Sequence, residues 1–206
     1  MNAGGQFVSP VKEFLPKRWQ AIQDIVLNAS FHAIRAALPG MRQRGWGRII
    51  NLVAVHGLVA SPFKSASVVA KHGLVGLTKS VALEAAESSI TCNAICPGYV
   101  RTALVEGQIE SQAKVHGIPR ERVIREVILA SQPTQRFIEV EEVGALAVFL
   151  CGAAARSITG AAIPIDGGWT AVSGRATTGR TEGRNLIVWR ECEQVRKPRK
   201  TDQSRN

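Results

Sequence analysis

The sequence lacks an apolar run long enough to cross a lipid bilayer. Its longest nearly unbroken apolar stretch is Val143 to Ala155, whereas a membrane-spanning helix needs about 20 such residues. The first residues, MNAGGQFVSPVKEF, contain no basic start followed by an apolar block, so no signal peptide is predicted. We therefore expect no membrane partner and a cytoplasmic protein.

Cysteine is also scarce, with four residues in the whole chain. Cys92 and Cys96 stand four positions apart in a predicted strand, which places them on one face but roughly 13 Å apart, beyond disulfide reach. The spacing does not match the usual zinc-binding pairs either. The sequence therefore predicts buried, reduced thiols and no metal site.

Acidic residues are outnumbered, with 16 Asp and Glu against 26 Lys and Arg, for a net charge of +10. Residues 173–206 hold nine of the basic and four of the acidic residues, so half of the excess lies in a short C-terminal segment. That segment has few apolar residues and no aromatic residues interleaved with its basic cluster. We predict a folded domain over residues 1–172 and a basic, disordered tail over 173–206, with nucleic-acid binding as the less favoured interpretation.

The remaining segments alternate between strand and helix patterns. Apolar residues at helical spacing predict one helix over Trp19 to Leu38, ending near Pro39, and small residues mark a second helix over Ser65 to Ala86. The nearly continuous apolar run 48–55 predicts a strand that is covered on both faces. Further strands are predicted within 89–100 and 160–169, and a polar helical flap over 105–133. This order predicts a parallel α/β sheet that binds its ligand beyond the carboxyl ends of the strands.

Five segments occur in an order that is informative as a set. They are NAG at 2–4, RIINL at 48–52, KSASVVAKHGLVGLTKSVALE at 64–84, CNAICPGYVRTALV at 92–105 and GAAIPIDGGW at 160–169. Together they resemble the short-chain dehydrogenases/reductases, and within that family the NAD-dependent D-3-hydroxybutyrate dehydrogenases. The resemblance implies the C-terminal part of a Rossmann-like, doubly wound parallel sheet. It also implies an N-terminally truncated chain, because no glycine-rich phosphate-binding loop follows a strand anywhere in these residues.

The resemblance also identifies the positions of four catalytic residues. In the family a tyrosine transfers the proton, a lysine four residues later holds the nicotinamide ribose, a serine polarises the substrate oxygen and an asparagine supports a water relay. Here Lys71 is retained, but Ser67 stands at the tyrosine position, Ala54 at the serine position and Val26 at the asparagine position. The only tyrosine, Tyr99, lies in a turn elsewhere. The sequence therefore predicts a catalytically degraded site.

Most positions that contact the ligands in the family are retained. The positions implied for the NAD cofactor are Asn2, Ala3, Gly4, Lys71, Pro97, Gly98, Val100 and Thr102. The positions implied for a small hydroxy or keto acid are Gln6, His56, Lys64, Gln108 and Trp169. The resemblance therefore predicts that the substrate pocket has been inherited, whereas cofactor binding by this chain is doubtful.

Three interpretations of function follow from these observations. The first is an inactive relative of the D-3-hydroxybutyrate dehydrogenases. The second is a working oxidoreductase whose missing half is supplied by another chain. The third is a non-catalytic protein that forms a homo-oligomer or pairs with an intact homologue, through the two long helices and the small residues Ala66, Ala70 and Gly73, as those helices do in the family.

Overall fold

The computed structural model describes residues 7–172, apart from the side chains of residues 115 and 116. The basic tail therefore lies outside the described residues. So do four of the predicted ligand-contact positions, Asn2, Ala3, Gly4 and Gln6.

Three parallel strands form the centre of the described fold. They are β1 (Gly47–Leu52), β2 (Ile90–Pro97) and β3 (Ala162–Ile165), hydrogen-bonded in the order β1-β2-β3. Strand β2 is buried along its whole length because it has a neighbour on each side. Parallel strands need long crossover connections, and the helices of this chain supply them. The predicted parallel α/β sheet is confirmed.

Helices cover both faces of this sheet. Their bounds are α1 Pro16–Gln23, α2 Ala29–Arg44, α3 Ser65–Glu84, α4 Ala103–His116, α5 Arg120–Val123 and α6 Val140–Cys151. On one face Ile34 of α2 and Val81 of α3 pack against Ile49 of β1. On the opposite face Leu150 of α6 packs against Ile95 of β2. This arrangement confirms the doubly wound architecture.

The first long helix extends further than the sequence predicts. A π-helical turn, Asp24–Asn28, joins α1 to α2, and α2 continues through Pro39 to Arg44. The helix ends at Gly45, whose left-handed φ of 64° only glycine adopts without strain. The predicted end near Pro39 is wrong, because Met41, beyond the proline, packs on the sheet and offsets the hydrogen bond that proline cannot make.

Strand β1 is shorter and less buried than predicted. It ends at Leu52 instead of Val55, because the backbone turns sharply at Ala54 and enters a 3-10 turn, Val55–Gly57. Only alternate residues of β1 are buried, while Ile50 and Leu52 are half-buried. Ile50 and Leu52 nevertheless pack against the cluster that contains Leu150 of α6, so both faces of this strand are covered, one less completely than the other.

The small residues of α3 pack inside the chain. Ala66 and Ala70 are fully buried against Ile22 of α1 and Val26 of the π-helical turn. A methyl group added at Gly73 would lie 2.9 Å from the Leu27 side chain. The close approach that these small residues permit is made within the chain.

Cys92 and Cys96 are buried and free, as the sequence predicts for this pair. Both lie on β2, and burial raises the pKa of their thiols to about 12 and about 11, so both are protonated near neutral pH. Cys151 is exposed and free. Over residues 7–172, no cluster of His, Cys, Asp or Glu is arranged to hold a metal ion. In the same range no helix is long and apolar enough to cross a membrane.

Candidate active site

A cavity of about 150 Å³ opens beyond the carboxyl ends of β1 and β2. Most of the predicted site residues line it together. Its wall consists of Ala54, Val55, His56, Lys64, Ser67, Lys71, Pro97, Gly98, Tyr99, Gln108 and Trp169. Parallel strands end at one edge of a sheet, so the loops after β1, β2 and β3 meet there, and α3 and α4 complete the wall.

The loop after β1 brings a strained residue to this cavity. Ala54 has φ 91° and ψ 161°, a combination that essentially only glycine adopts. The preceding residue fixes this geometry, because the backbone N–H of Val53 donates to the carbonyl of Ile95 on β2. Ala54 therefore faces the cavity with a methyl group where the family has a hydroxyl, on a backbone that disfavours any side chain.

We expect Ala54→Gly to stabilise the chain by about 1 kcal/mol, because relief of roughly 1–3 kcal/mol of backbone strain exceeds the extra entropy of glycine in the unfolded chain. The matched control is Ala36→Gly, at an exposed position inside α2, which should destabilise by about 1 kcal/mol. The melting temperature measured by circular dichroism should therefore rise for Ala54→Gly and fall for Ala36→Gly. A lower melting temperature for Ala54→Gly would contradict the strained geometry.

Helix α3 carries three polar side chains to the cavity. Lys64 occupies the N-cap position, Ser67 lies in the first turn and Lys71 follows one turn later. The ammonium group of Lys71 donates a hydrogen bond to the carbonyl of Val53. Burial lowers the pKa of both lysines, and nearby Cys96 partly offsets that effect at Lys71. Among the described residues no carboxylate forms an ion pair with either lysine, so the cavity has an uncompensated basic character.

Three ring side chains form another part of the cavity wall. The rings of Tyr99 and Trp169 stack with their centroids 5.8 Å apart, and His56 meets Trp169 edge-on at 5.5 Å. The Nε2 atom of His56 lies 2.8 Å from the hydroxyl of Ser61. Burial, followed by the positive charges of Lys64 and Lys71, lowers the pKa of His56 to about 4. His56 is therefore neutral near pH 7 and can exchange hydrogen bonds without adding charge.

Two buried residues that the sequence patterns did not reveal hold the loops in place. Gln132 is fully buried, and its side chain accepts the backbone N–H of Tyr99 at 2.6 Å while donating to the carbonyl of Arg136 at 2.7 Å. Asp166 accepts the backbone N–H groups of Gly168 and Thr170, which fixes the position of Trp169 between them. An aspartate followed by two glycines is a turn signal that indicates such a role, whereas Gln132 carries no local signal.

Three predicted positions lie away from the cavity wall. Val26 is buried between α1 and α3 in an apolar cluster. Val100 forms an isolated parallel bridge with Ile138, and Thr102 caps α4 by accepting the N–H of Val105. Val100 and Thr102 therefore position the start of the flap, and only Pro97 and Gly98 of that turn border the cavity.

The described residues do not fit a whole nicotinamide dinucleotide. Lys71, Pro97 and Gly98 could border a nicotinamide ring, although the Lys71 amine already donates to Val53. No strand in the described range is followed by a glycine-rich turn that opens a helix, the element that holds a pyrophosphate. The carbonyl-reduction chemistry of the family therefore lacks its cofactor cradle in these residues.

A parallel sheet with helices on both faces and a cavity beyond its carboxyl ends defines a Rossmann-like α/β protein. The sequence profile described as Enoyl-(Acyl carrier protein) reductase matches residues 1–170. The chain therefore belongs to the short-chain dehydrogenase/reductase family, and among its relatives it resembles the D-beta-hydroxybutyrate dehydrogenases.

Individual relatives support this assignment. The chain is 58% identical to the D-beta-hydroxybutyrate dehydrogenase of Rhizobium meliloti and 54% identical to that of Cupriavidus necator, in each case over 82% of this chain and 66% of the relative. A solved structure of ElxO with NADP bound superposes with a TM-score of 0.74 at 25% identity, over 83% of this chain and 66% of that one. The chain thus spans just under two thirds of the length of these relatives.

Proposed function

We propose that this chain binds a small hydroxy or keto acid, of the type handled by the D-beta-hydroxybutyrate dehydrogenases, without catalysing hydride transfer. The observation that carries the proposal is that Ser67 and Ala54 line the same cavity as Lys64, His56 and Trp169. The wall that recognises the acid is thus present, whereas the proton donor and the polarising hydroxyl are not.

The cavity wall has the chemistry that a short carboxylate needs. Lys64 supplies an ammonium group that no carboxylate of the described chain neutralises, and Gln108 supplies an amide. The Trp169 ring offers an apolar surface for a methyl group, and neutral His56 can hydrogen-bond a hydroxyl or a keto oxygen. A charge-assisted hydrogen bond inside a half-buried cavity is worth more than one at the surface.

The site lacks a side chain that can act as the proton donor. The phenol of a tyrosine has a pKa near 10, and a neighbouring lysine lowers it further, whereas a serine hydroxyl is a far weaker acid. The Ser67 hydroxyl also ends a whole aromatic ring short of the position that a phenol oxygen would occupy. Geometry and acidity therefore both oppose Ser67 as the proton donor.

The binding proposal is tested by calorimetric titration of the chain with D-3-hydroxybutyrate. We expect Lys64→Gln to weaken the affinity about tenfold or more, because a charged hydrogen-bond partner contributes roughly 1.5–3 kcal/mol. Lys79→Gln, on an exposed part of the same helix, is the matched control and should leave the affinity unchanged. Equal affinities for wild type and Lys64→Gln would refute carboxylate recognition by this cavity.

We also propose association through the outer face of α2 and α3, either with a second copy or with an intact homologue. A groove of about 440 Å³ runs between these helices, lined by apolar residues that include Phe31, Leu38 and Leu77. Phe31 is 45% exposed beside this groove, so a partner that covered it would bury apolar surface. A monomeric mass by light scattering at high concentration, together with failure to co-purify with an intact homologue, would contradict this proposal.

Completion by a partner chain and the cellular compartment are the two remaining parts of the proposal. A partner that carried a phosphate-binding loop would supply a cofactor cradle, yet Ser67 and Ala54 would still lack the proton chemistry, so a completed oxidoreductase is the less favoured alternative. The free thiols of Cys92, Cys96 and Cys151 support a reducing compartment such as the cytoplasm.

A further inference from the structure

We propose that Ser67 and Lys71 form a nucleophile–base pair that hydrolyses esters of short acyl groups in the cavity beyond β1 and β2. This activity goes beyond the binding function proposed above. It also differs in kind from hydride transfer, because it needs neither a cofactor nor an acidic phenol.

Ser67 and Lys71 border the same cavity, where the Lys71 amine would exchange its contact with the carbonyl of Val53 for the Ser67 hydroxyl. Positions four apart on an α-helix lie one above the other on the same face, and Ser67 and Lys71 both line the cavity. Ser67 is only 6% exposed, yet no described residue hydrogen-bonds its hydroxyl. The hydroxyl is therefore free to face the cavity and to use a neighbouring base.

Lys71 has the properties of a base at this position. Burial lowers the pKa of its amine from the ordinary value of 10.5, so a larger fraction is neutral near pH 8 than at a surface lysine. The charged or titratable groups that surround it are neutral His56, Lys64 and Cys96, with Tyr99 and Asp166 beyond them. Neither His56 nor Lys64 stabilises the protonated form of Lys71. The Cys96 thiolate would stabilise it, but that thiolate forms only at high pH.

The reaction balances without any further reactant than water. The Ser67 oxygen adds to the carbonyl carbon of the ester, and the Ser67 proton passes to the Lys71 amine. The bond to the leaving alcohol breaks, and that alcohol takes the proton from Lys71, which leaves an acyl ester on Ser67. Water then adds to this ester with Lys71 again as base, and the carboxylic acid leaves as Ser67 recovers its proton.

Positive charge and space favour this reaction. Ser67 lies in the first turn of α3, where backbone N–H groups lack helical partners and no side chain caps them. The unpaired ammonium of Lys64 borders the same cavity and can stabilise the developing oxyanion. The cavity of about 150 Å³ is small beside the roughly 300–1,000 Å³ of pockets for drug-sized ligands, so we expect it to favour acyl groups of a few carbons.

The short side chain that disqualifies Ser67 as a proton donor suits it as a nucleophile. An acid must reach the substrate oxygen, whereas a nucleophile attacks from the wall and needs room before it. The space in front of Ser67 that a tyrosine ring would occupy is part of the cavity here.

The test uses the intact chain with p-nitrophenyl acetate and p-nitrophenyl butyrate as substrates and a fluorophosphonate as the covalent probe, detected by intact mass. We expect hydrolysis above the buffer rate and one phosphonyl group per chain, located on Ser67 by peptide mapping. Ser67→Ala should lose both signals. Ser65→Ala, in the same turn but outside the cavity wall, should keep both.

The role of the base is tested separately. Lys71→Arg keeps a positive charge but removes the amine base, and we expect at least a hundredfold lower hydrolysis rate. The pH profile of the wild type should rise and level off below pH 10.5. If Lys71→Arg fails to fold, the wild type decides, because labelling of Ser67 by the fluorophosphonate should show the same pH dependence as hydrolysis. Equal hydrolysis by wild type and Ser67→Ala, or no hydrolysis and no labelling of the wild type, overturns the proposal.

Discussion

We expect the purified 206-residue chain to form no NADH from D-3-hydroxybutyrate above the rate of the buffer. Proton transfer by a positioned side chain contributes about 10²–10⁴-fold to such reactions, and Ser67 supplies neither the reach nor the acidity. The polarising hydroxyl is missing at Ala54, and no described strand leads into a glycine-rich phosphate-binding turn. Each loss multiplies the others, so the rate should be undetectable in a spectrophotometric assay.

We further expect that Ala54→Ser combined with Ser67→Tyr leaves this rate at the baseline. The two changes restore the hydroxyl and the phenol but not a cradle for the dinucleotide. The control is the Rhizobium meliloti relative, assayed in the same buffer with the same substrate. A restored rate in the double variant would show that the described residues hold the cofactor well enough and that the cradle matters less than the proton donor.

The second large effect is expected at Gln132, with a loss of about 3 kcal/mol of folding stability on Gln132→Leu. This substitution removes the partners of the Tyr99 N–H and the Arg136 carbonyl, which are part-buried, and each lost hydrogen bond costs about 1.5 kcal/mol. For a domain of this size the melting temperature should fall by about 6–12 °C. The turn that borders the cavity should loosen, so that binding of D-3-hydroxybutyrate also weakens.

The matched control is Gln112→Leu on the flap helix α4. The side-chain oxygen of Gln112 is buried without a hydrogen-bond partner, so its removal should be neutral or slightly stabilising. Thermal unfolding of the two variants separates a specific role of Gln132 from a general cost of losing an amide. Equal melting temperatures for the two variants would contradict the role assigned to Gln132.

The parts of the molecule that local patterns determine were predictable from the sequence. The alternation of apolar runs and helical spacing predicted the parallel sheet, and parallel strands that end at one edge predicted where the loops meet. Because the strands end at one edge, the structure brings His56, Gln108 and Trp169 to one cavity although they are far apart in the chain.

What local patterns could not reveal depends on packing between distant segments. Pro39 stays inside a helix because residues beyond it are held on the sheet, which no pattern of turn residues reveals. The small residues Ala66 and Ala70 permit a close helix contact, but only the fold shows that the contact lies within the chain. The backbone strain at Ala54 likewise follows from a hydrogen bond between Val53 and β2.

The measurement that tests the central claim most directly is saturation-transfer NMR on the wild-type chain with D-3-hydroxybutyrate and NAD together in one sample. The account predicts transfer to the methyl and methylene protons of the acid, which Lys64→Gln strongly reduces, and no transfer to the nicotinamide or adenine protons. Strong transfer to the NAD protons with none to the acid would contradict it, because the chain would then hold the cofactor and not the substrate.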